Sequence, residues 1–225
     1  MKDYVWDYTE KRGYNNRTGR YKTKTQYQFI LNCKGKTERI LDIAGGAGRF
    51  AIPLLDFSKD ITVLDLNEKA IQLLNERKKE IHTLCADFSD TEISGKYSLI
   101  LCIEALPYFN DWKAFFDKIN SLLDKDGRFI FTYTNPNSWR YFIRKLKHLK
   151  DNSNKYTDMN FDDLKKLLDN CGFEIDTLEG MNWIPLSATS DSLMVSVFDF
   201  IERNLNLKKW HSQSPWLLIS IKRKD

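Results

Sequence analysis

From residue 39 onward the chain alternates short aliphatic and β-branched runs with longer stretches in which apolar residues recur at i, i+3 and i+4. Such alternation is the pattern of βαβ units folded into a mainly parallel sheet. Strands are predicted at Arg39–Ile43, Ile61–Leu64, Ile81–Cys85, Ser98–Ile103, Arg128–Tyr133, Phe173–Leu178 and Trp216–Ile221. Amphipathic helices are predicted at Gly48–Asp56, Glu68–Lys79, Asp111–Leu123 and Phe161–Asn170. Asn67 and Asn160 stand where a side-chain oxygen can take an orphan backbone N–H, and Gly172 stands where a helix stops. Three stretches escape the alternation: 1–38, which shows no clear period, 136–160, and a helix-like run over Ser192–Asn204. They read as additions around a site.

Composition narrows the picture. At 225 residues, 42% hydrophobic and 29% charged, the chain fits one globular domain spanning 1–225. The four cysteines (Cys33, Cys85, Cys102, Cys171) include no CxxC pair and sit mostly in apolar runs. They read as buried free thiols in a reducing, cytoplasmic setting, with no disulfide and no metal site. No signal-like or membrane-spanning apolar run is present in the sequence. The net charge of +4 is too mild to imply nucleic acid, but it is uneven: residues 1–39 carry ten Lys/Arg against four Asp/Glu, and both basic stretches, 1–39 and 136–160, flank the expected site.

The strongest local signal runs from Arg39 to Phe50, a strand leading into a glycine-rich turn and then a helix. Gly45, Gly46 and Gly48 permit positive φ and let a ligand lie against the backbone, while the helix N-terminus offers free N–H groups. A plain strand-to-helix turn needs one glycine, not three in four positions. Gly46-x-Gly48-x-x-Ala51, with Asp65 about 20 residues beyond, also fits a dinucleotide fingerprint. Asp42 decides between the ligands: just before the glycines it would crowd a pyrophosphate but could accept from the α-ammonium of a bound methionine moiety.

With these motifs in order, the stretch from about 39 to 135 resembles a class I S-adenosylmethionine-dependent methyltransferase domain. Leu41–Gly48 is similar to the family's D-x-G-x-G-x-G loop, with Ala44 in place of the first glycine. Val63–Asn67 resembles the second motif, which implies that Asp65 holds both ribose hydroxyls, with Leu66 beside it. Cys85–Phe88 resembles the third, implying that Asp87 accepts from the adenine amino group and Phe88 covers the ring. Leu99–Phe109 resembles the fourth, placing Ile103, Glu104 and Ala105 near the methionine part. Many relatives resemble Glu-x-x-x-His here; this chain has Tyr108 at the histidine's place. The likeness implies an α/β, three-layer Rossmann-like fold with a seven-stranded, mainly parallel sheet whose last strand is antiparallel. It implies S-adenosylmethionine as cofactor, with 1–38 as a cap over substrate and cofactor, 136–160 as a helical insertion or lid, and 161–225 completing the sheet.

Methyl transfer is an in-line displacement, so holding the acceptor atom about 3–3.5 Å from the methyl carbon supplies most of the catalysis. A base matters only for some acceptors. Candidates are Glu104 and Tyr108 in the floor and His148 in the 136–160 segment. Against His148 stands an apolar stripe of Trp139, Phe142, Ile143, Leu146 and Leu149, which reads as a packed helix with His148 on its solvated face. His82 and His211 read as structural. The expected function is methyl transfer to oxygen or nitrogen of a small molecule, a sugar or another anionic metabolite. The absence of RNP-like or KH-like elements argues against nucleic acid. An RNA methyltransferase, a non-catalytic cofactor-binding protein and self-association as a homodimer stay open; a nicotinamide oxidoreductase is disfavoured by Asp42 and Asp87.

Overall fold

The computed structural model describes residues 5–11, 13–146 and 159–224. Seven strands form one sheet: β1 (Arg39–Ile43), β2 (Asp60–Asp65), β3 (His82–Cys85), β4 (Tyr97–Cys102), β5 (Leu123–Thr134), β6 (Phe173–Met181) and β7 (Trp216–Arg223). Their order is β3-β2-β1-β4-β5-β7-β6, parallel from β3 to β5. The last strand, β7, runs antiparallel to both of its neighbours. This is the Rossmann-like topology expected of the sequence, and every predicted strand is present, β1 with the predicted ends and the others with ends moved by at most five residues. Strand order reverses between β1 and β4, so the crevice beyond their carboxyl ends is where such a sheet binds ligands.

Among the described residues seven helices flank the sheet: α1 (Arg17–Cys33), α2 (Ala51–Leu54), α3 (Glu68–Arg77), α4 (Trp112–Leu122), α5 (Trp139–Leu146), α6 (Phe161–Asn170) and α7 (Met194–Asn204). One layer packs α4 and α6 on Leu41, Ile43, Ile100 and Phe129. The other packs α1, α2, α3 and α7 on Ile40, Val63, Leu99 and Leu101. The central strands are buried on both faces, and at about 25 cal/mol per Å² of apolar area this two-sided core supplies the main driving force. Asn67 and Asn160 cap α3 and α6 as predicted, accepting from Ala70 and Asp163 N–H. Gly172 takes the left-handed conformation after α6.

Four expectations need correction. Residues 1–38 were read without a period, yet α1 fills half of them; Asn16 caps it by accepting from Gly19 N–H. The helix expected over Gly48–Asp56 is reduced to Ala51–Leu54, because Pro53 has no N–H to give to the Arg49 carbonyl. Cys85 is exposed, unlike Cys33, Cys102 and Cys171, because β3 is an edge strand. Phe142 and Ile143 of α5, expected on a packed apolar stripe, are exposed. No helix among the described residues is long and apolar enough to cross a membrane.

Candidate active site

The loop after β1 is built for close backbone approach. Gly46 and Gly48 adopt φ of 56° and 83°. A side chain at Gly46 would face nearly open space, with Asp65 Oδ2 nearest at 3.9 Å, so the backbone there is accessible from the crevice. Gly45 serves differently: its φ is not positive, and a Cβ would lie 2.6 Å from Asp42 Oδ2. The unusual backbone instead falls on Ala44, at φ 55°, where the family's loop has glycine. Carrying a side chain in that region stores strain of order 1–3 kcal/mol.

Asp42 shares its face of β1 with Ile40, which packs in the α1 layer. Its carboxyl is buried, and Oδ2 has no hydrogen-bond partner among the described residues. Burial pushes it up to about 7; the nearby Arg49 charge opposes this and Asp65 reinforces it. At the end of β2, Asp65 accepts from Gly46 N–H and Asn67 N–H, both at 2.8 Å, which fixes its orientation. Burial raises its carboxyl, and those two N–H groups hold it back. Asp87 is partly exposed and accepts from Ser89 N–H. Leu66 is exposed, whereas Ile103 is buried in the α1-side core. Phe88 points elsewhere: it is 2% exposed, edge-on to Phe109 and Phe115 in the opposite core, and so presents no ring face to a ligand.

The end of β4 is arranged otherwise. Glu104, at φ 62°, gives its N–H to Thr132 Oγ1 of β5. Its carboxylate accepts from Tyr14 Oη (3.2 Å), Gln26 Nε2 (2.9 Å), Lys22 Nζ (3.5 Å) and both terminal nitrogens of Arg49 (3.2 and 3.3 Å). Burial would raise its carboxyl, but Arg49, Lys22 and the Gln26 hydrogen bond together hold it below the usual range. Glu104 is therefore a poor proton acceptor and an anchor for α1. Burial lowers the Lys22 ammonium and raises the Tyr14 hydroxyl. Tyr108 lies in the 3-10 turn Leu106–Tyr108, 67% exposed. His148 lies outside the described residues.

Four residues of this cluster, Tyr14, Lys22, Gln26 and Arg49, were not predicted individually. Lys22 and Gln26 stand one helical turn apart and are both buried, a fact that the spacing of polar residues in the sequence does not reveal. The arm before α1 closes the arrangement. Asp7 pairs through both carboxylate oxygens with Arg77 of α3 (3.0 and 2.7 Å). Although burial raises Asp7, its bonds to Arg77 and Thr9 bring it down to about 2. Tyr14 stacks on the Arg49 guanidinium at 3.8 Å and meets Trp6. Among the described residues no group of three His, Cys, Asp or Glu could hold a metal ion.

A nucleoside joined to an amino acid suits this crevice: an oriented carboxylate for a diol at β2, an open glycine backbone, and an unpartnered carboxyl oxygen at β1. Fold and site thus define a class I methyltransferase architecture. The methyltransferase-domain family model matches residues 15–178, and the chain belongs to that family, whose cofactor is S-adenosylmethionine. It is similar to nodulation protein S of Azorhizobium caulinodans, 28% identical over 118 residues that cover 49% of this chain and 57% of that protein. It is also similar to the malonyl-[acyl-carrier protein] O-methyltransferase of Acetivibrio thermocellus, 29% identical over 106 residues, 45% of this chain and 37% of that protein. The chain thus spans about half the length of the curated relatives it matches. The same fold occurs in a SAM-dependent methyltransferase, possible histamine N-methyltransferase, from Thermotoga maritima, with TM-score 0.65, 15% identity, and 92% and 91% of the two chains covered.

Proposed function

We propose that this chain transfers the methyl group of S-adenosylmethionine to nitrogen or oxygen of a small-molecule acceptor, a sugar or another anionic metabolite. The observation that carries this reading is the roof. The N-terminal arm and α1 lie over the strand ends, tied to α3 through Asp7–Arg77 and to β4 through Tyr14–Glu104, so the crevice is covered and not an open groove for a polymer. Trp6 and Tyr108 offer exposed rings on which a sugar or aromatic face can rest. The relatives are named for both O- and N-transfer.

The cofactor supplies an electrophilic methyl group on a sulfonium. Asp65 orients the ribose, with Asp87 and Leu66 along the adenine side and the glycine backbone beneath. Glu104, bonded to two cations, holds the roof in place and takes no proton. Catalysis rests on positioning and water exclusion, which suits an acceptor such as an amine that reaches its neutral form unaided.

The test is transfer of labelled methyl from S-adenosylmethionine to a panel of amines, sugars and sugar nucleotides, with total RNA in parallel. Labelling of a small molecule, with a rate-versus-pH profile that follows the acceptor's own ionisation, is expected. Labelling of RNA alone overturns the reading.

A further inference from the structure

Helix α7 turns its apolar side outward. Val195 and Glu202 are buried, and Tyr21 of α1 donates to the Glu202 carboxyl at 2.5 Å, which fixes the rotation of the helix. Met194, Val197, Ile201 and Leu205, spaced by three and four residues, therefore form an exposed stripe, with Leu193 and Phe200 beside it. Leu193, Phe200 and Leu205 are 70%, 66% and 66% exposed, and the charges on the flank, Asp199 and Arg203, pair with each other. An apolar face of this extent marks a contact surface.

The face stands at the rim of the crevice. Just before α7, Ser190 and Asp191 accept from Thr18 N–H and Arg17 N–H, at the end of α1 from which Lys22 reaches Glu104. On the β5 side of the rim, α5 exposes Phe142 and Ile143. The two regions meet beyond β5, where Asn135 donates to the carbonyls of His211, Ser212 and Ser214, and Arg140 to those of Asn182 and Ile184. Trp210, also exposed, packs on Trp183 at the same junction.

Charge names the occupant. In its eight residues α5 carries Arg140, Arg144 and Lys145 and no acid, and Lys209 is exposed next to Trp210. A polyphosphate chain offers nothing to the aliphatic stripe. A second copy packed on this rim about a two-fold axis would set these cations against their own copies, and interfaces between chains are poor in lysine. An anionic lipid surface meets both features, because acyl chains take the apolar side chains and phosphate headgroups take the cations.

We propose that the crevice rim formed by α5 and α7 docks on an anionic membrane surface, with Phe142, Phe200 and Leu205 entering the headgroup boundary. The docking does not depend on which acceptor is methylated, so it stands or falls apart from the methyl-transfer reading.

The test is vesicle flotation of the full chain with phosphatidylcholine alone and with equal parts phosphatidylcholine and phosphatidylglycerol, alongside sedimentation in free solution. Partition at least about 10-fold stronger onto the anionic vesicles, weakened by salt, is expected from several Lys and Arg near a charged surface. Phe142→Ser combined with Phe200→Ser is expected to weaken that partition by about 10-fold or more through lost apolar burial, with little change in a thermal melt because both sites are exposed. Equal partition onto the two vesicle types overturns the anionic partner, and that comparison needs no variant. Partition that the double substitution leaves unchanged overturns the docking face. No partition by wild type overturns the proposal outright, and a concentration-dependent dimer that the two substitutions dissociate assigns the face to a second copy instead.

Discussion

The ends of β1 and β4 lie side by side, and each presents a buried carboxyl to the same crevice, yet the two groups do opposite things. Asp42 has an oxygen with no partner among the described residues and is pushed up to about 7 by burial. Glu104 receives four side-chain partners and is held below the usual carboxylate range. The difference comes from α1, which lends Lys22 and Gln26 to one carboxyl and nothing to the other. A carboxyl at a strand end is thus an anchor or a binding group according to what packs above it, and its acidity follows.

The largest expected effect breaks the anchor. Glu104→Ala leaves Lys22 and Arg49 buried without a counter-ion and should cost about 3–5 kcal/mol in denaturant unfolding. Adding Lys22→Met to it should restore part of that loss. If Glu104 were the base, Glu104→Gln would abolish turnover at unchanged stability, and the comparison would fail.

Next is the binding group. Asp42→Asn should weaken S-adenosylhomocysteine by about 10- to 100-fold at pH 8. In wild type the carboxyl is protonated below about 7, and an ammonium ligand requires the anion, so affinity should fall as pH drops through that value with proton release on binding. The same raised carboxyl makes the ligand-free protein lose stability as pH rises from about 4 to 7, because the folded state then holds a proton that the unfolded state has released. Titrations at pH 6 and 8 check both: Asp42→Asn should flatten each dependence, and an unchanged slope would remove Asp42 from the binding group.

A smaller effect is expected one residue further along. Gly45→Ala places a methyl 2.6 Å from Asp42 Oδ2 and 3.0 Å from Val63, so it should cost about 1–3 kcal/mol by overpacking and weaken the cofactor along with it. The smallest is Ala44→Gly, which releases the strain of φ 55° against the greater freedom of unfolded glycine. A thermal melt should show a gain of no more than about 1 kcal/mol. A clear loss would mean that the Ala44 side chain packs usefully.

The strands were legible because the central ones are buried on both faces and read as unbroken apolar runs. The caps at Asn67 and Asn160 were legible because they act within four residues. Helix α1 was not, because its buried face includes Thr18, Lys22 and Gln26 as well as Phe29 and Ile30. Those polar residues are buried against the site and one another, which erases the hydrophobic period a surface helix shows. Phe88 illustrates the converse: its motif was readable, but whether its ring turned to the ligand or to Phe115 depended on packing from α4.

By itself the sequence determined the sheet, the glycine loop and the acidic residues at the ends of β1 and β2, since these follow from local periodicity and backbone conformation. Only the tertiary structure decided that Glu104 is neutralised while Asp42 keeps an oxygen without a partner among the described residues. That outcome depends on bringing residues 14–26 across to residues 49 and 104, and charge interactions between distant segments leave no periodic trace in the chain.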